Sequence, residues 1–296
     1  MKLLIVLAII VFVLPGCGQN DSASQKPSTG QKPKAPTAAE DVLESIDTII
    51  TELDRKIKMV KTPNLQNITE SSEKETKSSQ PDSSGGSAQD GGNSEANPNQ
   101  QQEKQPEQAI QEQKTGKWQK EIQSLKELHS NWNTLEPQAA EAGFSANSRE
   151  SFEKVLDELT LAISSQNHEQ SYKYAIELYG RYGELAKVFA MPQPLEFYQV
   201  NYGTMAAIAE ASSGEWENAE DRMLALEAPR AILVAQVRQQ DKMLAQQVDF
   251  SLSDLQNAIK IAEINLVALK GEIAISNLKK LERKLSQSSS DSNSQK

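Results

Sequence analysis

Residues 37–61 read TAAEDVLESIDTIITELDRKIKMVK. Thr37-Ala38-Ala39-Glu40 is a capping box, in which the threonine hydroxyl accepts from the backbone N–H three residues on and the glutamate reaches back. Leu43, Ile46, Ile50, Leu53, Ile57 and Val60 then follow at spacings of three, four, three, four and three. That spacing predicts an amphipathic helix over 37–62 whose apolar stripe packs against another helix. A helix of about 25 residues is marginal alone in water, and six aliphatic side chains on one stripe represent on the order of 10 kcal/mol of burial, so the stripe has to dock. Its partner is either the rest of its own chain or a second molecule, and effective concentration across a linker favours its own chain.

The pattern downstream is helical as well. Trp118, Ile122, Leu125, Leu128, Trp132 and Leu135 share one face, with Pro137 expected to end or kink that helix and Gly143 to close it before Phe144. Phe152, Val155, Leu159 and Ile163 mark the next helix, and Asn167 caps one bearing Tyr172, Ala175, Tyr179 and Tyr182. Further helices follow from about Leu195 to Gly214 and from Trp216 onward, interrupted at Pro229. A last one, capped by Ser251 with Asp254, is expected to run to about Leu285, near 50 Å at 1.5 Å per residue. No window alternates with period two, so the expected fold class is all-α, a bundle of long antiparallel helices over 116–285. A shift of 96 positions superposes Leu159, Ala175 and Tyr179 on Leu255, Gly271 and Ile275, a match that amphipathic helices reach at some offset, and the bundle reading assumes no repeat. The stretch from Tyr198 to Leu226 faintly resembles a tetratricopeptide helix pair, but no copy follows about 34 residues on.

Three stretches cannot build a core. Residues 17–36 and 63–115 are dominated by Gln, Ser, Gly, Asn, Lys and Pro, and 286–296 by Ser, so they are expected as a disordered tether, a disordered low-complexity linker and a disordered tail. By the scaling of flexible chains, the first two would reach roughly 25 Å and 40 Å.

At the N-terminus, Lys2 precedes an unbroken apolar run from Leu3 to Val13, short of the roughly 20 residues that span a bilayer. Leu14-Pro15-Gly16-Cys17 follows and contains the single cysteine of the chain. This segment resembles the lipobox of bacterial lipoproteins, with leucine at minus three and glycine at minus one, although proline stands at minus two where the family usually has a small residue. The resemblance implies that 1–16 is a signal peptide and that Cys17 is the lipid attachment residue, carrying a diacylglyceryl group and acyl chains such as palmitate. It also implies that the mature chain is anchored at the extracytoplasmic face of the cell membrane. An ordinary secretory signal with an incidental cysteine is the alternative. As a whole the pattern resembles the uncharacterised helical lipoproteins of Gram-positive bacteria.

A net charge of −10, from 41 acidic against 31 basic residues, argues against nucleic acid and against adhesion of the folded body to anionic headgroups. The expected partners are the membrane, through the lipid, and an envelope protein. No phosphate loop, nucleophile elbow or His-Glu-x-x-His occurs, and the Gly-x-His-x-x-Glu segment of imelysin-type lipoproteins is missing, so no catalytic residue, metal or cofactor is assigned. His129 and His168 read as surface or cap residues, and the Glu217–Asp221 and Glu150–Glu153 pairs as solvated faces. All six tyrosines, Tyr172, Tyr174, Tyr179, Tyr182, Tyr198 and Tyr202, fall within about 30 residues; core packing is the preferred reading, a ligand groove the other, with Tyr174 the one expected in solvent. The expected function is a non-enzymatic helical binding or scaffold module; the alternative is a ligand-capture lipoprotein that delivers a small molecule or metal to a membrane partner.

Overall fold

The computed structural model describes residues 32–61 and 118–293, and the signal segment, Cys17 and the 63–115 linker lie outside the described residues. Helix α1 spans Thr37–Lys61, opening with the Ala39 N–H on the Pro36 carbonyl at 2.9 Å and with Glu40 in its first turn, where a carboxylate suits the helix dipole. It buries Ala39, Val42, Ile46, Ile49, Ile50 and Leu53 against α2 (Gln119–Glu141) and α4 (His168–Gly183), so it docks on its own chain. The buried stripe is rotated from the one the spacing suggests: Leu43 and Ile57 lie at its margin, only partly covered, while Val42 and Ile49 are inside. The dock carries polar anchors too. Lys56 pairs with the buried Glu121 and lies 4.6 Å over the Trp118 ring, and the Tyr172 hydroxyl donates to Asp54 at 3.3 Å.

Pro137 stays inside α2, which runs on to Glu141; the carbonyl it orphans belongs to the exposed Asn133, where water can satisfy it. Gly143, at φ 95°, then closes the helix, with the Phe144 N–H on the Ala139 carbonyl. Helix α3 (Ala146–Ser164) is capped by Ser145, α4 by Asn167. A 3-10 turn (Glu184–Lys187) and a corner lead into α5 (Leu195–Ser212). Next come α6 (Trp216–Ala225) and α7 (Glu227–Arg238), with Pro229 in the first turn of α7, where a missing N–H costs nothing. The single long last helix expected from Ser251 is instead two. Asp241 caps α8 (Lys242–Ile261), Ser251 lies buried inside it, and the chain reverses at Ala262, φ 56°, into α9 (Ile264–Asn293). Two further boundaries differ from expectation. Helix α9 continues through the serines to Asn293, no proline or glycine being there to stop it. Residues 32–36, assigned to the tether, lie along the corner before α5, where the Ala190 N–H donates to Pro33 at 2.8 Å and Lys32 Nζ to Ala186 at 2.6 Å.

The helix boundaries expose a duplication. Helix α3 begins at Ala146 and α8 at Lys242, and α4 begins at His168 and α9 at Ile264, both 96 positions on. The caps Ser145 and Asp241 and the left-handed residues Gln166 and Ala262 keep the same offset. Helix α1 matches α5 at an offset of 158: Pro36 and Pro194 each accept from the residue three on, and Ala39, Val42, Ile46, Ile49 and Leu53 fall on the buried Phe197, Val200, Thr204, Ala207 and Ala211. Helix α2 matches α6 and α7 at 98, with Trp118 on Trp216, Leu125 on Met223 and Leu135 on Leu233. Packing repeats as well: α1 lies on α2 and α4 as α5 lies on α6, α7 and α9, and α3 pairs with α4 as α8 pairs with α9. The described helices thus form two equivalent units, α1 to α4 and α5 to α9, with α6 and α7 together in the place of α2, joined where α4 meets α5. Glycine brings those two helices close, since a Cβ on Gly183 would stand 2.7 Å from Tyr198 Cβ.

Candidate binding cleft between α1 and α9

The duplication identifies what is unusual in this molecule. Where the units join, α4 buries Ile176, Tyr179 and Gly183, and α5 buries Tyr198, Met205, Ala206 and Ala209. At the matching positions α9 carries Glu272, Ile275 and Lys279, and α1 carries Glu40, Asp47, Thr48 and Thr51, with only Ile275 apolar and none of the seven buried. The same faces are thus built once for packing and once for water. Between the second pair lies a cleft of about 640 Å³, with Glu40 and Leu43 on one wall, Glu282, Arg283 and Ser286 on the other, and Tyr182, Gln193 and Tyr198 beneath. A second hollow of about 440 Å³ continues along α1 past Glu44, Asp47 and Thr51.

The floor is held rigidly. Buried Gln193 accepts from the Tyr198 hydroxyl at 2.7 Å and donates to Ser286 Oγ at 2.7 Å, and Ser286 donates to the Glu282 carbonyl at 3.0 Å, tying the corner to α9. Desolvation, then the charges of Glu282, Asp47 and Glu40, hold the Tyr198 hydroxyl above its usual range, so it stays a neutral donor. On the walls, the Asp47 carboxyl is pushed up to about 7, first by desolvation among the packed helices and then by the charge of Glu282, against the pull of Lys279. Asp47 is exposed to cleft water on one side, which screens part of that penalty; the Glu282 charge pushes in the same upward direction. Glu282 is raised as well, by desolvation, with Lys279 and Arg283 opposing. A bound cation would relieve both. On the far side of α4 and α5 a smaller hollow of about 380 Å³ is lined by ion-paired side chains: the Tyr202 hydroxyl donates to Glu177 at 2.6 Å, Arg181 pairs with Glu177, and Arg222 reaches Glu210 beside it.

Four tyrosines, Tyr172, Tyr179, Tyr182 and Tyr198, are buried, so the cluster is mainly core; Tyr182 and Tyr198 also line the cleft, and Tyr174 is half-buried rather than open. The cluster thus serves both as core and as cleft floor. His129 Nε2 lies 2.9 Å from Thr160 Oγ1, and the His168 ring is centred 4.5 Å from that of Trp118. Glu217, Asp221, Glu150 and Glu153 are exposed. Among the described residues no group of three or more His, Cys, Asp or Glu could hold a metal ion, and no helix is long and apolar enough to cross a membrane. Asp47, Gln193 and Glu282 were not singled out by sequence reasoning. The signal that reaches Asp47 is the 158-position offset between α1 and α5, which becomes visible only once the helix ends are known. No protein-family model, curated protein or solved structure matches the chain.

Proposed function

We propose that this chain is a lipoprotein anchored through Cys17 at the extracytoplasmic face of the cell membrane, and that its helical body is a non-enzymatic binding module working through the α1–α9 cleft. The observation that carries the anchor is Leu14-Pro15-Gly16-Cys17 directly behind an apolar run with no other cysteine in the chain. Two acyl chains meet the two-signal requirement for stable membrane anchoring. What supports the cleft is the exchange of an apolar, glycine-lined interface for an open polar one at matched positions. Detergent-phase partitioning tests the anchor: the mature protein partitions into detergent, and Cys17→Ser leaves an uncleaved precursor or a released protein. A fully processed Ser variant that stays in the membrane fraction would remove the lipoprotein reading.

The two raised carboxylates on facing walls favour a second reading within the same class, capture of a small cationic ligand for delivery to a membrane partner. Titration with a diamine separates the two. Capture predicts saturable heat that disappears in Asp47→Asn, whereas a protein-binding module gives none.

A further inference from the structure

The second unit differs from the first on one outer face. Met243, Phe250 and Ile261 on α8 are 66%, 63% and 64% exposed, and Leu269 and Ile273 on α9 are 46% and 43% exposed. The matched positions of the first unit carry Asn147, Lys154, Ser165, Lys173 and Glu177. The fold therefore does not require apolar residues there; the first unit exposes the single Leu161 on that stripe, and a cluster of five on the second unit marks an interaction surface. Lys270, next to Leu269 on α9, donates to Asp254 on the α8 stripe, so the exposed α9 residues border that stripe.

The stripe itself indicates what covers it. Met243, Gln247, Phe250, Asp254, Asn257 and Ile261 recur at spacings of four, three, four, three and four, a helix-packing seam about 27 Å long that faces solvent. Its last four residues read apolar, polar, polar, apolar. A two-fold axis between Asp254 and Asn257 sets Phe250 on Ile261 of a second copy and Asp254 on Asn257 of that copy, apolar on apolar and carboxylate on amide. Lys270 Nζ holds Oδ2 of Asp254 at 2.8 Å, which leaves Oδ1 to accept from that amide. Exposed Lys242 and Lys260 stand among Asp254, Glu263 and Glu272 around the patch, a mixed rim with no net attraction for an anionic membrane surface. We infer that two copies of this chain pair through α8, antiparallel and in this register, with Leu269 and Ile273 flanking the contact. A self-complementary patch on each copy is what a closed two-fold dimer needs.

The test uses the full chain in detergent. Sedimentation at roughly 100 µM should show a dimer, and Phe250→Asp with Ile261→Asp should weaken pairing at least tenfold while leaving the melting temperature of the monomer in place, because both side chains are exposed in one copy. The register is checked by mixing a Phe250→Cys chain with an Ile261→Cys chain: these cross-link, since a disulfide needs Cα atoms within about 7 Å, and Phe250→Cys chains alone do not. A chain that is monomeric at that concentration, a dimer indifferent to the aspartates, or a cross-link between two Phe250→Cys chains would each overturn the proposal. So would binding of a Cys17→Ser chain to phosphatidylglycerol–phosphatidylcholine vesicles, without dimerisation, that the aspartates abolish; that result would give the face to lipid.

Discussion

Ile49 and Leu43 sit on the same helix and separate the observed docking of α1 from the one its spacing suggests. The 3-4 seam includes Leu43 and omits Ile49, whereas in the fold Ile49 is fully enclosed and Leu43 stands at the cleft margin. Ile49→Ala deletes three carbons at about 0.8 kcal/mol each and leaves a cavity in a site walled by α2 and α4, so it should cost about 3–4 kcal/mol. Leu43→Ala opens onto the cleft and should cost about 1 kcal/mol. For a domain of this size, 1 kcal/mol shifts the melting temperature by roughly 2–4 °C, so the two variants should differ by several degrees, with Ile49→Ala about 10 °C below the parent. Calorimetry at two protein concentrations is the assay. Equal losses, or a melting temperature that rises with concentration in Ile49→Ala but not in the parent, would refute intramolecular docking of α1 in this register.

Other consequences are as direct. Lys56→Met strips the ion-pair partner from Glu121, which is 1% exposed, and should cost about 3 kcal/mol by chemical denaturation, much of it recovered when Glu121→Leu is added. Gly183→Ala places a methyl 2.7 Å from the root of the Tyr198 side chain and should lower stability, whereas Gly203→Ala meets the flexible tip of Leu226 and should be milder, the comparison being made by melting temperature. The folded Asp47 carboxyl is pushed up from 3.8 towards about 7, so above the unfolded value the native state binds the extra proton and its stability falls as pH rises to that range. Asp47→Asn should therefore raise the melting temperature more at pH 8 than at pH 4, and a pH-independent effect would contradict the desolvation of Asp47 beside the Glu282 charge.

Helices were legible wherever a local device announced them. The Asn167 cap and the Gly143 stop stand where their chemistry puts them, whereas Thr37, read as a cap, is already the first residue of α1 behind Pro36. What escaped were devices without a sequence mark. Ala262 takes the left-handed conformation that usually signals glycine, so the α8–α9 reversal reads as continuous helix, and buried Ser251 imitates a cap. The duplication was hidden for a different reason. Its matched positions keep burial rather than residue type, Thr204 against Ile46 for example, and the long segment between α1 and α2, with a two-residue difference before α3, breaks a single offset into three. The cleft could not be read from either wall alone, because Asp47 and Glu282 are far apart in the chain and each looks like part of a solvated face.

Binding through that cleft is tested most directly by photo-cross-linking in intact cells. A photoreactive residue at Thr51 or Gln287, on opposite walls, should give a discrete adduct that Asp47→Lys abolishes, while the same residue at exposed Lys154 or Asp157 on α3 gives none. Adducts from α3 but not from the cleft, or cleft adducts indifferent to Asp47→Lys, would contradict it.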